Sequence, residues 1–365
     1  MSHSRRSFLL SPLVFGAALN ATRANAADAP LAGQVILTGF RGTSVENSEV
    51  ELVLRMFERR QISGVILLER NVRSPEQLKR LTDAFRTACP DSPPIIAVDQ
   101  EGGKVARLGS RQGFKVWHSA AKLAEWNMSA QDVYDYYLGR TTELASVGIN
   151  LNLAPVVDLA LSQSNPIISG LGRSYGPDPE TVLFYAEMFI RAHRAADVKT
   201  CLKHFPGHGS SADDTHIRPV DVRATWQNIE IAPFQRLIDA GLADTIMLSH
   251  VIHDFFSDSP DTPVSLSRAA GDMLREVMGF SGLIISDSMQ MGAITHARSE
   301  KNAAISAIIA GNDILIYANA RKSESLDTTA RVIATLEKAS LQQRNLEIAL
   351  RDRVSRIINF RANLF

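Results

Sequence analysis

Cysteine is scarce: Cys89 and Cys201 are the two in 365 residues. That excludes a disulfide scaffold and a four-cysteine zinc module. Net charge is missing as well. Lys and Arg together number 39, and so do Asp and Glu, so there is no blanket positive field to hold nucleic acid or an anionic membrane, and neither partner is expected. Beyond residue 26 no stretch approaches the roughly twenty consecutive apolar residues of a membrane-spanning helix, so no membrane anchor is expected in the mature chain. Nor is there a low-complexity linker, a charge block or a motif-level repeat. The 45% hydrophobic and 21% charged residues that are there describe an ordinary globular protein, neither disordered nor fibrous. Length points to two domains of about 150 residues each, although a single α/β barrel reaches the same size.

The charges are not evenly spread. Residues 1–26 contain Arg5, Arg6 and Arg23 and no acid. Ser4-Arg5-Arg6-Ser7-Phe8-Leu9 leads into an apolar run to Leu19 and then to Ala24-Asn25-Ala26, a small-x-small cleavage pattern, which together read as a twin-arginine signal peptide over 1–26. No cysteine follows the run to carry a lipid. The expectation is a folded, soluble monomer handed to the twin-arginine export machinery and released to the periplasm or the exterior. Its mature domain would be 27–365, with a net charge of −3.

Architecture repeats where motifs do not. Short apolar or β-branched runs, Gln34-Thr38, Gly64-Leu68, Ile95-Asp99, Leu151-Ala154, Thr200-Lys203, Thr245-Ser249, Leu283-Asp287 and Ile314-Tyr317, alternate with helix-like stretches. The stretches are Glu49-Arg60, Pro75-Ala88, Asp132-Val147, Pro179-Ala195, Asn228-Ala240, Ser267-Met278 and Asn302-Ala310. Ser74-Pro75 and Asp178-Pro179 have the form of helix starts. Continuously apolar strands alternating with helices predict a parallel sheet covered on both faces. Eight such units predict a single (β/α)8 TIM-type barrel, with a doubly wound open sheet as the alternative.

In a barrel the chemistry collects at the C-terminal ends of the strands, and polar residues are found there. Asp99 closes the third strand and Asp158 follows the fourth. Lys203-His204 close the fifth, Ser249-His250 the sixth and Ser286-Asp287 the seventh. A lone polar residue in such a place caps the next helix as readily as it does chemistry, but five in register describe a polar, carboxylate-lined pocket.

The run Lys203-His204-Phe205-Pro206-Gly207-His208-Gly209 with Asp213-Asp214-Thr215-His216 admits two readings. One is a loop-borne metal site, although Pro and Gly exclude the helical H-E-x-x-H arrangement. The other is acid/base chemistry, with Asp214 two residues from His216 in an extended segment, bonded to one imidazole nitrogen while the other faces substrate. The glycines are expected to let the loop move. Asp287, kept ionised by cations such as Lys203 and Arg173, suits attack at an acetal carbon, and a supported histidine suits protonation of the leaving oxygen.

Val98-Asp99-Gln100-Glu101-Gly102-Gly103, Gly172-Arg173-Ser174-Tyr175, the Lys203–Gly209 run, Asp214-Thr215-His216 and Ile285-Ser286-Asp287 resemble, in that order, glycoside hydrolase family 3. Within it they are similar to the NagZ-type β-N-acetylglucosaminidases on a single barrel. The resemblance implies Asp287 as the nucleophile of a retaining β-N-acetylhexosaminidase and His216, supported by Asp214, as its acid/base. It also implies that Asp99, Arg107, Arg173, Lys203 and His204 bind the N-acetylglucosamine ring, and that no metal or other cofactor takes part. Ser288 stands where the family often has a second Asp, and Thr215 where it usually has Ser. The implied carbohydrate substrate is a peptidoglycan-derived GlcNAc-anhydromuropeptide or a chitooligosaccharide. A β-glucosidase or phosphorylase of the same family, or an exported sugar-binding protein, are the alternatives.

Two weaker motifs are read as structural. Gly170-Leu171-Gly172 with Gly176 lacks dinucleotide spacing, and Ser119-Ala120-Ala121-Lys122 satisfies S-x-x-K with neither S-D-N nor K-T-G beside it. Cys89 and Cys201 are expected to be buried free thiols.

Overall fold

A computed structural model describes residues 30–364. The twin-arginine segment 1–26 lies outside the described residues. Eight parallel strands close into a barrel: β1 (Ile36–Thr38), β2 (Gly64–Leu67), β3 (Ile95–Val98), β4 (Leu151–Asn152), β5 (Lys199–Phe205), β6 (Thr245–Leu248), β7 (Leu283–Ser288) and β8 (Ile314–Tyr317). Each pairs with its neighbours in sequence, and β1 pairs with β8 through Ile36, Leu37 and Thr38 against Leu315, Ile316 and Tyr317. Closure excludes the doubly wound open sheet. It also removes the barrel sheet's edges and leaves its strands without a solvent face, which is why they are apolar runs instead of alternating ones. Burying each Val, Leu or Ile side chain in these layers contributes about 1.5–3 kcal/mol.

Helices follow the strands where the sequence puts them, with terminal adjustments. Ser74 accepts from the Gln77 amide and Asp178 from the Thr181 amide, and Pro75 and Pro179 open the helices Pro75–Ala88 and Pro179–Ala195. Three expectations need correcting. Gln34 is not in the first strand but in a helical turn, Leu31–Gln34, whose end is tied by Arg361 to the C-terminal helix. The expected helix Asn228–Ala240 divides at Pro233 into a 3-10 turn, Asn228–Ile231, and a helix, Ala232–Asp239. The stretch 267–278 is α-helical only over Arg268–Asp272 and continues as a π-helical turn, Met273–Val277. Two helices after β8, Leu326–Ser340 and Arg344–Arg361, close the outer ring. Among the described residues no helix is long and apolar enough to cross a membrane.

Cys89 and Cys201 are both buried and free, and burial pushes their thiols up to about 11 and about 12. The S-x-x-K spacing is a helix start. Ser119 Oγ accepts from the Lys122 amide, and Lys122 Nζ reaches Glu125 at 2.8 Å on the surface. Gly172 ends a 3-10 turn with φ +64°, a backbone conformation that favours glycine.

At the opposite end of the barrel from the polar strand ends, Asp313 precedes β8. It is fully buried, accepts from the Ile284 amide at 2.8 Å and pairs with Arg275 at 2.6 Å and Arg356 at 3.2 Å. It thereby ties β7 to two outer helical segments. Removing Asp313 takes the partner from the buried Ile284 amide and from Arg275 Nη2. Asp313→Ala should lose about 3 kcal/mol of unfolding free energy in urea titration, and a loss below about 1 kcal/mol would show that the tie carries little of the barrel's stability.

Candidate active site

All eight site residues expected from sequence lie at the C-terminal end of the barrel. Asp99, Arg107, His216 and Asp287 line one pocket, together with Arg321 and Glu324 from the loop after β8. Asp214 stands behind His216, and Lys203, Arg173 and His204 lie beneath Asp99.

Asp287 sits near the end of β7, partly open to the pocket. Burial opposes its ionisation. The imidazoles of His250, His204 and His216, with the Ser288 amide donating at 2.7 Å, outweigh that and hold the carboxyl at about 2. The expected cations are not the cause. Lys203 and Arg173 are committed to other carboxylates, because each already has a buried acid within bonding distance. Behind Asp287, His250 bonds the Ser288 carbonyl through Nε2 at 3.0 Å and Ser265 Oγ through Nδ1 at 2.6 Å. Since a carbonyl only accepts, Nε2 carries the proton, and burial pushes His250 down. Ser288 thus serves through its backbone, on Asp287 from one side and on His250 from the other.

The pocket floor is an ionic network. Glu101 is almost fully buried and receives Arg173 in two bonds, Nε at 2.7 Å and Nη2 at 2.8 Å, and Lys203 Nζ at 2.6 Å. Lys203 Nζ also donates to Asp99 at 2.9 Å, and Arg107 lies 3.5 Å from the other Asp99 oxygen. Despite burial, the two cations draw the Glu101 carboxyl far below the usual range, and the acids around Arg173 raise its guanidinium. Arg173 Nη2 also reaches His204 Nε2 at 3.2 Å, while His204 Nδ1 lies 2.6 Å from Asp158. A guanidinium is only a donor, so Nε2 accepts and Nδ1 carries the proton to Asp158. The Lys203–His204 peptide is cis.

The three histidines of the glycine-rich run do not converge. His204 pairs with Asp158. His208 is buried against Ser211 and Thr215, and burial pushes it down to about 4. His216 pairs with Asp214. Among the described residues no group of three or more His, Cys, Asp or Glu side chains is placed to hold a metal ion. The Asp214–His216 pair forms as expected, but in a turn and not in an extended segment. Asp214 Oδ1 accepts both the His216 amide at 2.8 Å and Nδ1 at 2.7 Å, an Asx-turn that leaves Nε2 free. The intervening Thr215 side chain turns inward to His208.

The glycines of the run serve close packing. A Cβ at Gly209 would come within 1.6 Å of the Leu159 carbonyl, and Gly207, at φ +123°, packs on Glu230. Buried Glu230 accepts from the amides of Gly209 and Ser210. The glycines fit this segment tightly to its surroundings, and the chain becomes exposed only beyond Ser211.

Fold and site together define a barrel enzyme whose carboxylates and imidazole gather on the C-terminal rim. The chain belongs to glycoside hydrolase family 3: the sequence profile of the glycosyl hydrolase family 3 N-terminal domain matches residues 34–359. It is similar to the β-hexosaminidase of Tolumonas auensis, 36% identical over 277 residues that cover 71% of this chain and 76% of that one. Among solved structures, it is similar to the β-N-acetylhexosaminidase of Beutenbergia cavernae, with a TM-score of 0.80 and 28% identity over 92% of this chain and 98% of that one. It also resembles the family 3 β-N-acetylglucosaminidase of Paenibacillus, with a TM-score of 0.80 and 26% identity over 92% of this chain. There the chain spans 62% of the longer relative.

Sequence reasoning gave no role to Glu101, Arg321 or Glu324. Glu101 stands within the Val98–Gly103 motif but shows its place in the site only through partners far along the chain. Because its folded carboxyl is depressed, the stability it contributes is complete above about pH 5 and is lost as pH falls below the ordinary glutamate value of about 4.3. Compared by chemical denaturation, wild type should exceed Glu101→Gln most near neutral pH. The gap should narrow toward about pH 3, and a constant gap would show that Glu101 is not held as an anion.

Proposed function

We propose that the protein is an exported, retaining β-N-acetylhexosaminidase that removes terminal β-linked N-acetylglucosamine from peptidoglycan fragments or chitooligosaccharides. The observation that carries this reading is the pairing, across one pocket, of an acidic Asp287 with a carboxylate-supported His216. The activities for which the similar proteins are named agree with it. Asp287 attacks the anomeric carbon as His216 Nε2–H protonates the departing oxygen, giving a glycosyl-enzyme and free alcohol. His216, now neutral, takes a proton from water, whose oxygen attacks the same carbon and releases Asp287, with net retention of configuration. Asp214 fixes the tautomer and stabilises the imidazolium, as the acid of a catalytic triad does.

Asp99 accepts from ring hydroxyls, and Arg107 and Lys203 donate to hydroxyl or acetamido oxygens. Arg173 and His204, joined to them through Glu101, complete the ring-binding site. The twin-arginine motif at Arg5-Arg6 supports action outside the cytoplasm.

Three measurements test the proposal. A fluorinated N-acetylglucosaminyl fluoride should trap the enzyme with the label on Asp287 by peptide mass spectrometry; label on another residue overturns the assignment. Asp287→Ala should lower kcat by at least about a thousandfold, whereas a sugar-binding protein has no turnover to lose. With p-nitrophenyl substrates the N-acetylglucosaminide should be cleaved far faster than the glucoside and without stimulation by phosphate. Equal or faster glucoside turnover sinks the hexosaminidase reading, and phosphate dependence makes the protein a phosphorylase.

A further inference from the structure

His216 is exposed in side chain to 59%, and its imidazole is tied only to Asp214, its own near neighbour in sequence. An acid/base group on a turn must still meet the glycosidic oxygen within about 3 Å, so the turn itself has to be held. Its backbone shows how. The His216 carbonyl accepts from the Gly292 amide at 3.0 Å, and the Thr215 carbonyl from the Ala293 amide at 3.1 Å. A second donor reaches the His216 carbonyl from across the pocket, Arg321 Nη2 at 3.1 Å.

Arg321 is itself built on a braced loop. Its amide donates to Glu324 Oε2 at 2.9 Å and its carbonyl accepts from Arg41 Nη2 at 2.7 Å. Arg70, reaching over from beyond β2, donates to the carbonyls of Ala318 and Ala320. Two arginines from the first two βα connections therefore fix the loop after β8, and that loop extends a third arginine to the turn carrying His216. Arg321 and His216 line the same pocket.

We propose that Arg321 is a positioning residue for His216: its guanidinium, extended from the loop that Arg41 and Arg70 brace, fixes the turn so that Nε2 meets the leaving oxygen. The proposal rests on the reading of His216 as the acid/base. Arg321 touches the histidine's backbone, not the reacting atoms, and its side chain is 56% exposed, so truncating it leaves no buried group without a partner.

Leaving-group dependence separates positioning of the acid from general disturbance of the pocket. kcat/KM reports glycosyl transfer to Asp287, and protonation assists that step strongly for a poor leaving group and hardly at all for an activated one. For Arg321→Ala, kcat/KM on the phenyl N-acetylglucosaminide should fall about ten- to hundredfold, within the range general acid catalysis supplies. On the dinitrophenyl analogue it should fall less than about threefold. Arg321→Lys, which keeps one donor, should recover part of the loss, and His216→Ala should show the same selectivity in stronger form. The double variant should be no worse than His216→Ala. An equal loss on both substrates, no loss on either, or additivity in the double variant overturns the proposal. If His216→Ala lacks leaving-group selectivity, the acid/base reading falls and this inference with it. If His216→Ala shows selectivity and Arg321→Ala does not, only the inference fails.

Discussion

One carboxylate organises the floor of the pocket. Glu101 lies almost fully buried between two cations, and each ion would be costly to bury by itself, by several kcal/mol after relaxation. What makes the arrangement tolerable is completeness: Arg173 binds in two parallel bonds, and Lys203 takes the remaining direction. The three residues come from the ends of β3 and β5 and from the connection after β4, so the charges hold three separate segments in one register. With Glu101 answering Arg173 and sharing Lys203, Asp99 can be shared with Arg107 and still face the pocket. His204, between Arg173 and Asp158, takes one tautomer.

From that floor the site rises through two supports of different stiffness. Asp287 belongs to a barrel strand, and its position follows from the hydrogen-bonded ladder and from His250 and Ser288 behind it. His216 belongs to a turn and is held through carbonyl oxygens by Gly292 and Arg321. Asp287 is therefore as rigid as the barrel, whereas His216 is as rigid as the contacts between three loops. The retaining mechanism proposed above would make use of both, since its attacking carboxylate has one place to be and its acid/base group serves first the leaving oxygen and then water.

Signals that act over a few residues were legible in the chain. Ser74-Pro75 and Asp178-Pro179 start helices because a side-chain oxygen finds an amide three residues on, and eight apolar runs became eight barrel strands because a strand covered on both faces is mostly apolar. The pairing of Asp214 with His216 was legible for the same reason, although the turn that makes it was not: an Asx-turn and an extended pair have the same spacing. The close packing of the Lys203–Gly209 glycines on Leu159 and Glu230 was not legible, because packing uses the same residue that flexibility would use.

Sequence by itself determined the number and order of the strands, the ends at which polar groups gather, and the residue types available for acid/base and nucleophilic chemistry, all of which follow from local periodicity and spacing. Only the tertiary structure decided which charge answers which. Glu101 and Arg173 are 72 residues apart, Asp99 and Lys203 104, and His216 and Arg321 105. Electrostatic and hydrogen-bond energies depend on distance in space, and barrel closure brings these groups within 3.1 Å of their partners.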